Sequence, residues 1–381
     1  MKILVLNHEY PPVGGGGGKV SQDIAEGLVR NGHKVYVLSS LIYPEARVEN
    51  RNGVTIHRLF CRRKYAYKAR LLDMAIFVFA SIVYGYRFIK KENPDLIHAH
   101  FAVPAGAAAW VLAKITHKPF LITAHLGDVP GGVPEKTGEI FRFIFPFTKP
   151  IWRDAVKIIA VSEYTKQLAQ KSYPSVSIQV IPNGVNVKEI GSGTIKINNP
   201  PQIVYAGRFV EQKNPIQIVR TLASIADLPW HCILIGDGPL HEIVQEEIHK
   251  TGLKNRITLV GWVDPTHVIN YFMKSDILFM PSLNEGLPVT MVHAMATGLA
   301  LIVSDVGGCR ELIQNDINGY LVNPNHPEEF SKVMRSLLIN PQKLLAIRQG
   351  SRKSADYFDI NKIVDSYETA LLQIINGNTL G

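Results

Sequence analysis

Short apolar runs alternate with helical stretches along the whole chain, and this alternation limits the fold more than any other feature. The eleven runs are rich in β-branched residues and lie at 2–7, 34–39, 54–59, 95–100, 119–125, 156–162, 202–207, 231–236, 256–261, 276–281 and 299–304. Mostly apolar strands separated by helices are typical of parallel sheets that helices cover on both faces. The sequence therefore predicts an α/β protein with two doubly wound domains.

The predicted domain boundary is a stretch marked by glycine and proline. Residues 187–201 show no strong periodicity, so we expect a linker between a domain at 1–186 and a domain at 202–357. Two domains also agree with the length of 381 residues, because one domain takes on the order of 150 residues. The final segment, 358–381, is predicted to be an amphipathic helix. Its apolar residues at helical spacing are Ile360, Ile363, Val364, Tyr367, Leu371 and Ile374.

The net charge of +9 is concentrated in the first half of the chain. Residues 1–190 hold 25 Lys and Arg against 14 Asp and Glu, whereas residues 191–381 hold 16 against 18. A basic domain of this kind can bind nucleic acid, anionic lipid or a phosphorylated ligand. With 46% apolar and 19% charged residues, a disordered chain is excluded. Three cysteines without metal-ligand spacing indicate a reducing cytosol.

Two segments of the first half raise the question of membrane contact. Residues 58–70 contain six basic residues without an acidic one between them: Arg58, Arg62, Arg63, Lys64, Lys68 and Arg70. Such a run is often a solvated face, but it also suits an anionic membrane, which attracts each Lys or Arg by about 1 kcal/mol. Nucleic acid is the weaker alternative because no known binding module accompanies the run. The apolar segment 74–86 is too short to span a bilayer, so we expect a buried helix.

Five consecutive glycines, 14–18, follow the first apolar run and precede a helical pattern that starts near Val20. Glycines at a helix N-terminus let backbone N–H groups approach a phosphate without obstruction by side chains. The spacing excludes a dinucleotide fingerprint, which needs a further glycine five residues after the first. It also excludes a P-loop, which needs Ser or Thr after the lysine. The glycines therefore indicate a ligand contact made by the backbone.

Polar residues and glycines also follow two strands of the second half. Arg208 and Lys213 come after the run at 202–207, and two cations on one loop can neutralise a diphosphate. Gly236 and Gly238 follow the next run and indicate a tight turn that a flat ring can approach.

The segment SLNEGLPVTMVHAMATG, at 282–298, is the most specific of the chain. Glu285 ends a loop, Gly286 and Leu287 contribute backbone N–H groups, and Pro288 suits the first turn of a helix. A carboxylate held beside the start of a helix suits hydrogen bonds to sugar hydroxyls better than it suits packing.

The order and spacing of several motifs carry a family resemblance. They read PPVGGGGG, NGHKV, AVSEYTK, IPNGVN, YAGRFVEQKN, ILIGDGP, GWV and PSLNEGLPVTMVHAMATGLALIVSDVGGCRELI. The chain resembles a retaining glycosyltransferase of family 4 along nearly its whole length. The resemblance implies the GT-B fold, in which two Rossmann-like domains face each other across a cleft and the last helix crosses back to the first domain.

The resemblance also implies the substrates and the roles of individual residues. The donor would be a nucleotide sugar, with a UDP-sugar as the first expectation. The acceptor would be a glycan, a lipid-linked compound or another hydroxyl compound. Arg208 and Lys213 would bind the diphosphate, Glu285 would contact the transferred sugar, and His125 would lie near its reacting face. The other implied donor-binding residues are Gly16, Gly17, Gly236, Gly238, Leu240, Val263, Gly286, Leu287, Pro288 and His293.

His293 departs from the family pattern, which has a second glutamate eight residues after the first. That glutamate accepts hydrogen bonds from both ribose hydroxyls, whereas a neutral imidazole offers one acceptor and one donor. Two interpretations stay open: a tolerated helix residue with weaker ribose contact, or a changed nucleotide preference.

The expected activity is sugar transfer that needs neither a metal nor a cofactor. The chain contains no Asp-x-Asp sequence, and His98 and His100 have no carboxylate cluster beside them in the sequence. The alternatives are a nucleotide-sugar 2-epimerase on the same fold and a non-catalytic binding subunit. We expect a cytoplasmic protein in which residues 58–70 contact the anionic inner face of the cell membrane, with no nucleic acid partner.

Overall fold

All eleven apolar runs contain a strand in the computed structural model of the protein, which confirms the predicted α/β class. The structure describes residues 1–65, 69–132, 146–191 and 193–378. The chain forms two units. The first consists of Met1–Gly184 together with Ile360–Gly381, and the second is Val185–Asp359.

The first unit is built on a sheet whose described strands number eight. They are β1 (Lys2–Leu6), β2 (Lys34–Ser40), β3 (Val48–Arg51), β4 (Val54–Leu59), β5 (Leu96–His100), β6 (Phe120–Ala124), β7 (Lys157–Ala160) and β8 (Ile178–Val180). Their order is β3-β4-β2-β1-β5-β6-β7-β8, and β3 alone of these pairs antiparallel. Every residue of β5 and β6 is buried, as expected for strands covered on both faces.

Six helices accompany this sheet in the described part of the first unit. They are α1 (Gly16–Arg30), α2 (Leu71–Glu92), α3 (Ala107–Thr116), α4 (described at 146–154), α5 (Glu163–Ser172) and α13 (Ile360–Asn378). The final helix packs on α1, where a Cβ on Gly27 would lie 2.3 Å from a methyl group of Val364. The apolar face predicted for this last helix is buried here.

The second unit has six strands among its described residues. They are β9 (Gln202–Ala206), β10 (His231–Ile235), β11 (Ile257–Gly261), β12 (Ile277–Met280), β13 (Ala300–Ser304) and β14 (Gly319–Val322), in the order β11-β10-β9-β12-β13-β14. Every pairing among them is parallel. The helices are α6 (Val187–Ile190), α7 (Pro215–Ala223), α8 (His241–Lys250), α9 (Pro265–Met273), α10 (Val289–Thr297), α11 (Glu328–Leu338) and α12 (Pro341–Ala355).

The stretch predicted to be a linker, 187–201, lies within the second unit and begins with α6. The buried guanidinium of Arg348 donates to the carbonyl of Lys196 (2.6 Å) and to the carboxylate of Asp276. Asp276 also accepts from the backbone N–H groups of Asn198 (3.2 Å) and Gln202 (2.7 Å). Glycine and proline content indicated a free connection, but this buried ion pair fastens the end of the stretch to the unit.

Helix α2 is longer than the apolar segment at 74–86, and it is only partly buried. It begins after Arg70, whose backbone N–H donates to the carboxylate of Asp73 (2.9 Å). The helix has 22 residues, and by length and composition it could cross a membrane, with 33% of its most apolar window buried. The prediction that this helix is buried is therefore correct for one face of α2 and wrong for the other.

We expect Asp276→Ala to lower the free energy of unfolding by about 3–5 kcal/mol, because it leaves the buried charge of Arg348 unpaired. The matched control is Asp227→Ala, which breaks an exposed ion pair with Arg335 and should cost far less. Urea denaturation followed by tryptophan fluorescence measures both variants. Equal losses in the two variants would contradict the role assigned to the buried pair.

Candidate active site

The strand order of the second unit reverses direction at β9, which has β10 on one side and β12 on the other. In open parallel sheets, ligands bind outside the carboxyl ends of the strands at such a reversal. The loop after β9 carries Arg208 and Lys213, and the loop after β12 carries Glu285. The sheet therefore brings these three residues to one edge, although they are far apart in the sequence.

An ion pair joins the two loops. The Nζ atom of Lys213 lies 2.5 Å from Oε1 of Glu285, and the two side chains are 16% and 6% exposed. Gln212 fastens the same loops. Its side-chain Nε2 donates to the backbone carbonyl of Asn284 (2.8 Å), and its backbone carbonyl accepts from the N–H of Leu283 (2.8 Å). Gln212 was missed in the sequence because its bonds run to backbone atoms of a distant segment.

Gly308 supports the Glu285 loop from the neighbouring strand end. Its N–H donates to the carbonyl of Glu285 (3.0 Å), and a Cβ at this position would lie 1.4 Å from the carbonyl oxygen of Gly286. Any side chain at Gly308 would therefore displace the loop. The sequence signal was the Gly307–Gly308 pair, separated by two residues from the apolar run at 299–304, to which no role was assigned from the sequence.

Arg208 differs from Lys213 in its surroundings. Its side chain is exposed, whereas its carbonyl accepts hydrogen bonds from the hydroxyl of Tyr205 (3.0 Å) and the N–H of Val210 (3.0 Å). Burial raises the pKa of the Tyr205 hydroxyl well above its usual range, and the nearby charge of Glu285 adds to this shift. The loop that holds Arg208 is thus fixed by a neutral donor, and the guanidinium remains accessible.

Gly236 and Gly238 have positive φ angles of 138° and 158° at the end of β10. A Cβ on Gly236 would lie 1.9 Å from the carbonyl oxygen of Gly207, and one on Gly238 would lie 2.5 Å from that of Phe209. Backbone of the β9 loop fills the space beside both glycines. Close packing of two strand-end loops therefore requires glycine at both positions, and the approach of a flat ring to this turn stays a prediction.

The remaining donor-binding candidates of the second unit lie at the same sheet edge or on the helix that starts there. Leu240 directly precedes α8, and Val263 follows β11; both are half-buried. Gly286, Leu287 and Pro288 are buried.

Helix α10 begins at Val289, so Pro288 occupies the N-cap position rather than the first turn that the sequence predicted. His293 is half-buried on α10, eight residues after Glu285. The helix thus links the carboxylate of the loop to the position at which the family pattern has its second glutamate.

In the first unit, α1 begins at Gly16, four residues earlier than the predicted Val20. Gly16 and Gly17 therefore form its first turn, where backbone N–H groups lack partners within the helix. A Cβ on Gly17 would lie 2.6 Å from the ring of Phe101, which would have to shift. A Cβ on Gly18 would lie 1.8 Å from the carbonyl oxygen of Glu9. The glycines bring this helix start against the ends of β1 and β5, where the strand order of the first sheet reverses.

His125 follows β6 and is buried beside His100 and Phe101. Its Nε2 lies 3.4 Å from Nδ1 of His100, and its ring centroid lies 4.4 Å from that of Phe101. Burial lowers the pKa of His125 to about 4, so the imidazole is neutral at neutral pH. The carboxylate of Asp128 accepts from the N–H groups of His125 (2.8 Å) and Ala102. Burial raises the pKa of Asp128 to about 7.

His98 and His100, near the end of the neighbouring strand β5, take part in packing and hydrogen bonds. Nε2 of His98 lies 2.8 Å from the hydroxyl of Thr123, which donates to the hydroxyl of Tyr367 (3.4 Å). Across the described residues, no group of three or more His, Cys, Asp or Glu side chains is arranged to hold a metal ion.

The basic run at 58–70 is not a uniformly solvated face. Arg58 is buried and donates to Glu49 (2.6 Å) and to the carbonyl of Pro11 (2.8 Å), and Arg63 is buried and donates to the carbonyl of His8 (3.1 Å). Arg70 pairs with Asp73 (2.9 Å).

The other members of the run are Arg62 and Lys64, which are exposed, and Lys68, which lies outside the described residues. Three of the six charges are therefore committed to the protein itself, and the run is a weaker attractor of anionic lipid than its sequence indicated.

Solved structures with the same architecture place the fold in the GT-B class. Sucrose-phosphate synthase of Thermosynechococcus elongatus superposes with a TM-score of 0.86 at 21% identity, covering 99% of both chains. HepE of Anabaena in complex with UDP-glucose superposes with a TM-score of 0.76 at 19% identity, covering 98% of this chain and 100% of HepE.

The family follows from the sequence matches. Residues 14–189 match the family described as Glycosyltransferase Family 4, and residues 188–354 match Glycosyl transferases group 1. The chain belongs to the group 1, family 4-like glycosyltransferases, which confirms the family indicated by the motifs, whereas retention of configuration stays a prediction.

One curated relative is UDP-Gal:alpha-D-GlcNAc-diphosphoundecaprenol alpha-1,3-galactosyltransferase of Escherichia coli, 25% identical over 315 residues, with 77% of this chain and 79% of the relative covered. These matches favour transfer over the epimerase and the non-catalytic subunit.

We expect Asp128→Asn to steepen the loss of stability on acidification between pH 6.5 and 4.5. The pKa of His125 is about 4 and that of His98 about 3 in the fold, both lowered by burial from about 6.5. Below about pH 6.5 the unfolded chain therefore binds protons that the folded chain does not, and stability falls with pH. Asp128 opposes this fall, because with a pKa of about 7 it keeps a proton that the unfolded chain releases.

Urea midpoints across this pH window measure the slope for the wild type and for Asp128→Asn. Asp154→Asn is the control, since a hydrogen bond from Arg153 holds the pKa of Asp154 below its usual range and outside the window. Identical slopes for the wild type and Asp128→Asn would contradict the raised pKa of Asp128.

Proposed function

We propose that the protein transfers a sugar, with retention of anomeric configuration, from a UDP-sugar to a glycan or lipid-linked hydroxyl in polysaccharide or glycoconjugate synthesis. The observation that carries the proposal is the ion pair of Lys213 and Glu285 at the strand-order reversal of the second unit. The ammonium of Lys213 suits the diphosphate of a nucleotide sugar, and the carboxylate of Glu285 beside it suits the sugar hydroxyls.

The cations act on the leaving group. As the bond from the anomeric carbon to the diphosphate breaks, negative charge grows on the phosphate oxygens. Arg208 provides an accessible planar donor, and the ammonium of Lys213 has three hydrogens, so it can donate to a phosphate while it stays bonded to Glu285. The N–H groups at the start of α10 add the positive end of a helix dipole. This charge compensation uses side chains and backbone, so the proposal requires no metal.

Glu285 orients the sugar. Its carboxylate has acceptor sites beyond the one that Lys213 occupies, and these suit hydroxyl donors. In the first unit, His125 is neutral, so it can exchange hydrogen bonds with an uncharged sugar or acceptor without adding charge. The acceptor oxygen replaces the diphosphate on the anomeric carbon, and its proton leaves with the phosphate oxygen.

The donor and acceptor classes rest on the relatives. The name of the E. coli relative contains both UDP-Gal and a diphosphoundecaprenol acceptor, and HepE is known in complex with UDP-glucose. We infer the same classes here: UDP as the nucleotide and a carbohydrate or lipid-linked acceptor. We place the reaction at the cytoplasmic face of the membrane, since all three cysteines are buried and unpaired, as in a reducing compartment.

We expect Arg208→Ala to lower kcat/KM by at least ~100-fold, the scale of losing one preorganised donor to a developing charge. Arg220→Ala is the matched control: it removes an exposed arginine of the same unit, which pairs with Glu247 away from the site. Steady-state kinetics measures kcat/KM of both variants, and circular dichroism checks that both are folded. A folded Arg208→Ala enzyme with near-normal kcat/KM would remove Arg208 from the site.

The stereochemistry and metal requirement have direct tests. The anomeric configuration of the first-formed product, followed by proton NMR, should match that of the donor. The rate should persist in EDTA, because Arg208, Lys213 and the start of α10 supply the positive charge. Inversion of configuration, or loss of activity that Mg²⁺ or Mn²⁺ restores, would refute that part of the proposal.

We expect His293→Glu to tighten binding of the UDP-sugar roughly five- to a hundred-fold, because a carboxylate can accept from both ribose hydroxyls. His249→Glu makes the same charge change at an exposed position of α8 and should leave the affinity unchanged. Isothermal titration calorimetry measures the dissociation constants. If His293→Glu binds a UDP-sugar no better than the wild type, His293 either lies outside the ribose site or serves a different nucleotide.

A further inference from the structure

Helix α2 has an apolar face on the inside and another on the outside. The inner face, with Phe77, Gly85 and Phe88, is buried in the first unit, and a Cβ on Gly85 would lie 2.8 Å from the side chain of Leu112. A helix that packs in this way normally turns a polar face to water. In α2 the opposite side does not follow this pattern.

The outer face of α2 consists of residues spaced three or four apart and exposed to solvent. They are Leu72, Ala75, Phe79, Val83 and Tyr86. This spacing places them in one stripe along about 20 Å of the helix. Phe79, at its centre, is 70% exposed. A continuous apolar stripe of this length on a surface marks a place where something binds.

The exposed charges of α2 are mostly positive. Arg87, Lys90 and Lys91 are exposed in the last two turns, and the ammonium of Lys90 lies 5.8 Å from the ring centre of Tyr86. Of the two acidic residues of α2, Asp73 is buried against Arg70, and Glu92 ends the helix, where its carboxylate lies 3.9 Å from the ammonium of Lys91. The first unit as a whole holds 25 Lys and Arg against 15 Asp and Glu, a net charge of +10. A complementary partner is therefore anionic.

We propose that the outer face of α2 binds an anionic membrane surface, with Phe79 and its neighbours among the acyl chains and Arg87, Lys90 and Lys91 at the lipid headgroups. Apolar residues followed by basic ones, with Tyr86 and Lys90 at the boundary, have the composition of an interfacial helix. A transmembrane course does not fit, because the inner face of α2 is packed in the unit. This inference rests on the proposed function for its purpose, access to a lipid-linked acceptor, and it transfers the membrane contact from residues 58–70 to α2.

The test is co-sedimentation of the full chain with vesicles of phosphatidylcholine alone or mixed with phosphatidylglycerol. The wild type should bind the anionic vesicles, and Phe79→Glu should weaken this binding at least about tenfold, since burial of one large apolar side chain is lost. The matched control is Tyr357→Glu in the second unit, where the tyrosine is also 70% exposed. Phe79→Leu keeps an apolar side chain and should retain binding.

A second variant separates charge from apolar insertion. Replacing Arg87, Lys90 and Lys91 by glutamine should reduce the preference for anionic over neutral vesicles and the sensitivity to salt. Equal binding of wild type and Phe79→Glu, or no binding of the wild type at low salt, would overturn the inference. It would also be overturned by a wild-type dimer in sedimentation velocity that Phe79→Glu dissociates, because the outer face would then bind a second copy.

Failure of this inference is distinguishable from failure of the proposed function. Calorimetric binding of a soluble UDP-sugar uses the second unit and should be the same in Phe79→Glu and in the wild type. Vesicle binding without UDP-sugar binding would support α2 as a membrane element and refute the proposed donor. UDP-sugar binding without vesicle binding would support the proposed donor and refute α2 as a membrane element.

Discussion

The parallel pairing of β9 with β12 is the constraint on which the site of the second unit depends. Ile203 lies opposite Ile277 in this pair, and β10 occupies the other side of β9. The loops that follow β9 and β12 therefore leave the same sheet edge, and Lys213 and Glu285 meet at 2.5 Å although 72 residues separate them. The first unit repeats the principle: β1 lies between β2 and β5, and the glycines after β1 pack against Phe101 after β5.

The strands were predictable wherever burial on both faces left a continuous apolar run. No apolar run predicted β3, β8 or β14, which have three or four residues each and lie at the ends of their sheets. An edge strand is covered less, so its sequence needs no continuous apolar run. The loop contact between Lys213 and Glu285 was likewise beyond the sequence, because no local pattern states which strands are neighbours. The motif resemblance identified Lys213 and Glu285 as candidate site residues, but only the strand order shows that their loops are neighbours.

The surroundings of several cations and glycines were beyond the sequence for a common reason: they depend on atoms that are distant in sequence. Arg58 belonged to a run without acids, yet Glu49 of the antiparallel β3 neutralises it across the sheet edge. Gly236 and Gly238 also serve packing, because their missing Cβ atoms make room for Gly207 and Phe209. A sequence shows that a side chain is charged or absent, and only the fold shows what occupies the adjacent space.

The charge balance of the Lys213–Glu285 pair explains why backbone geometry matters so much at this site. Arg208 and Lys213 bring two positive charges and Glu285 one negative charge, so the three side chains alone cannot neutralise a diphosphate. In the proposed reaction, the remaining compensation comes from N–H groups at the start of α10, whose position depends on the preceding loop. That loop is held by Gly308, where a Cβ would lie 1.4 Å from the carbonyl oxygen of Gly286. Under the proposed function, Gly308 would therefore support anion binding through the loop that it holds, as the cations would through their charge.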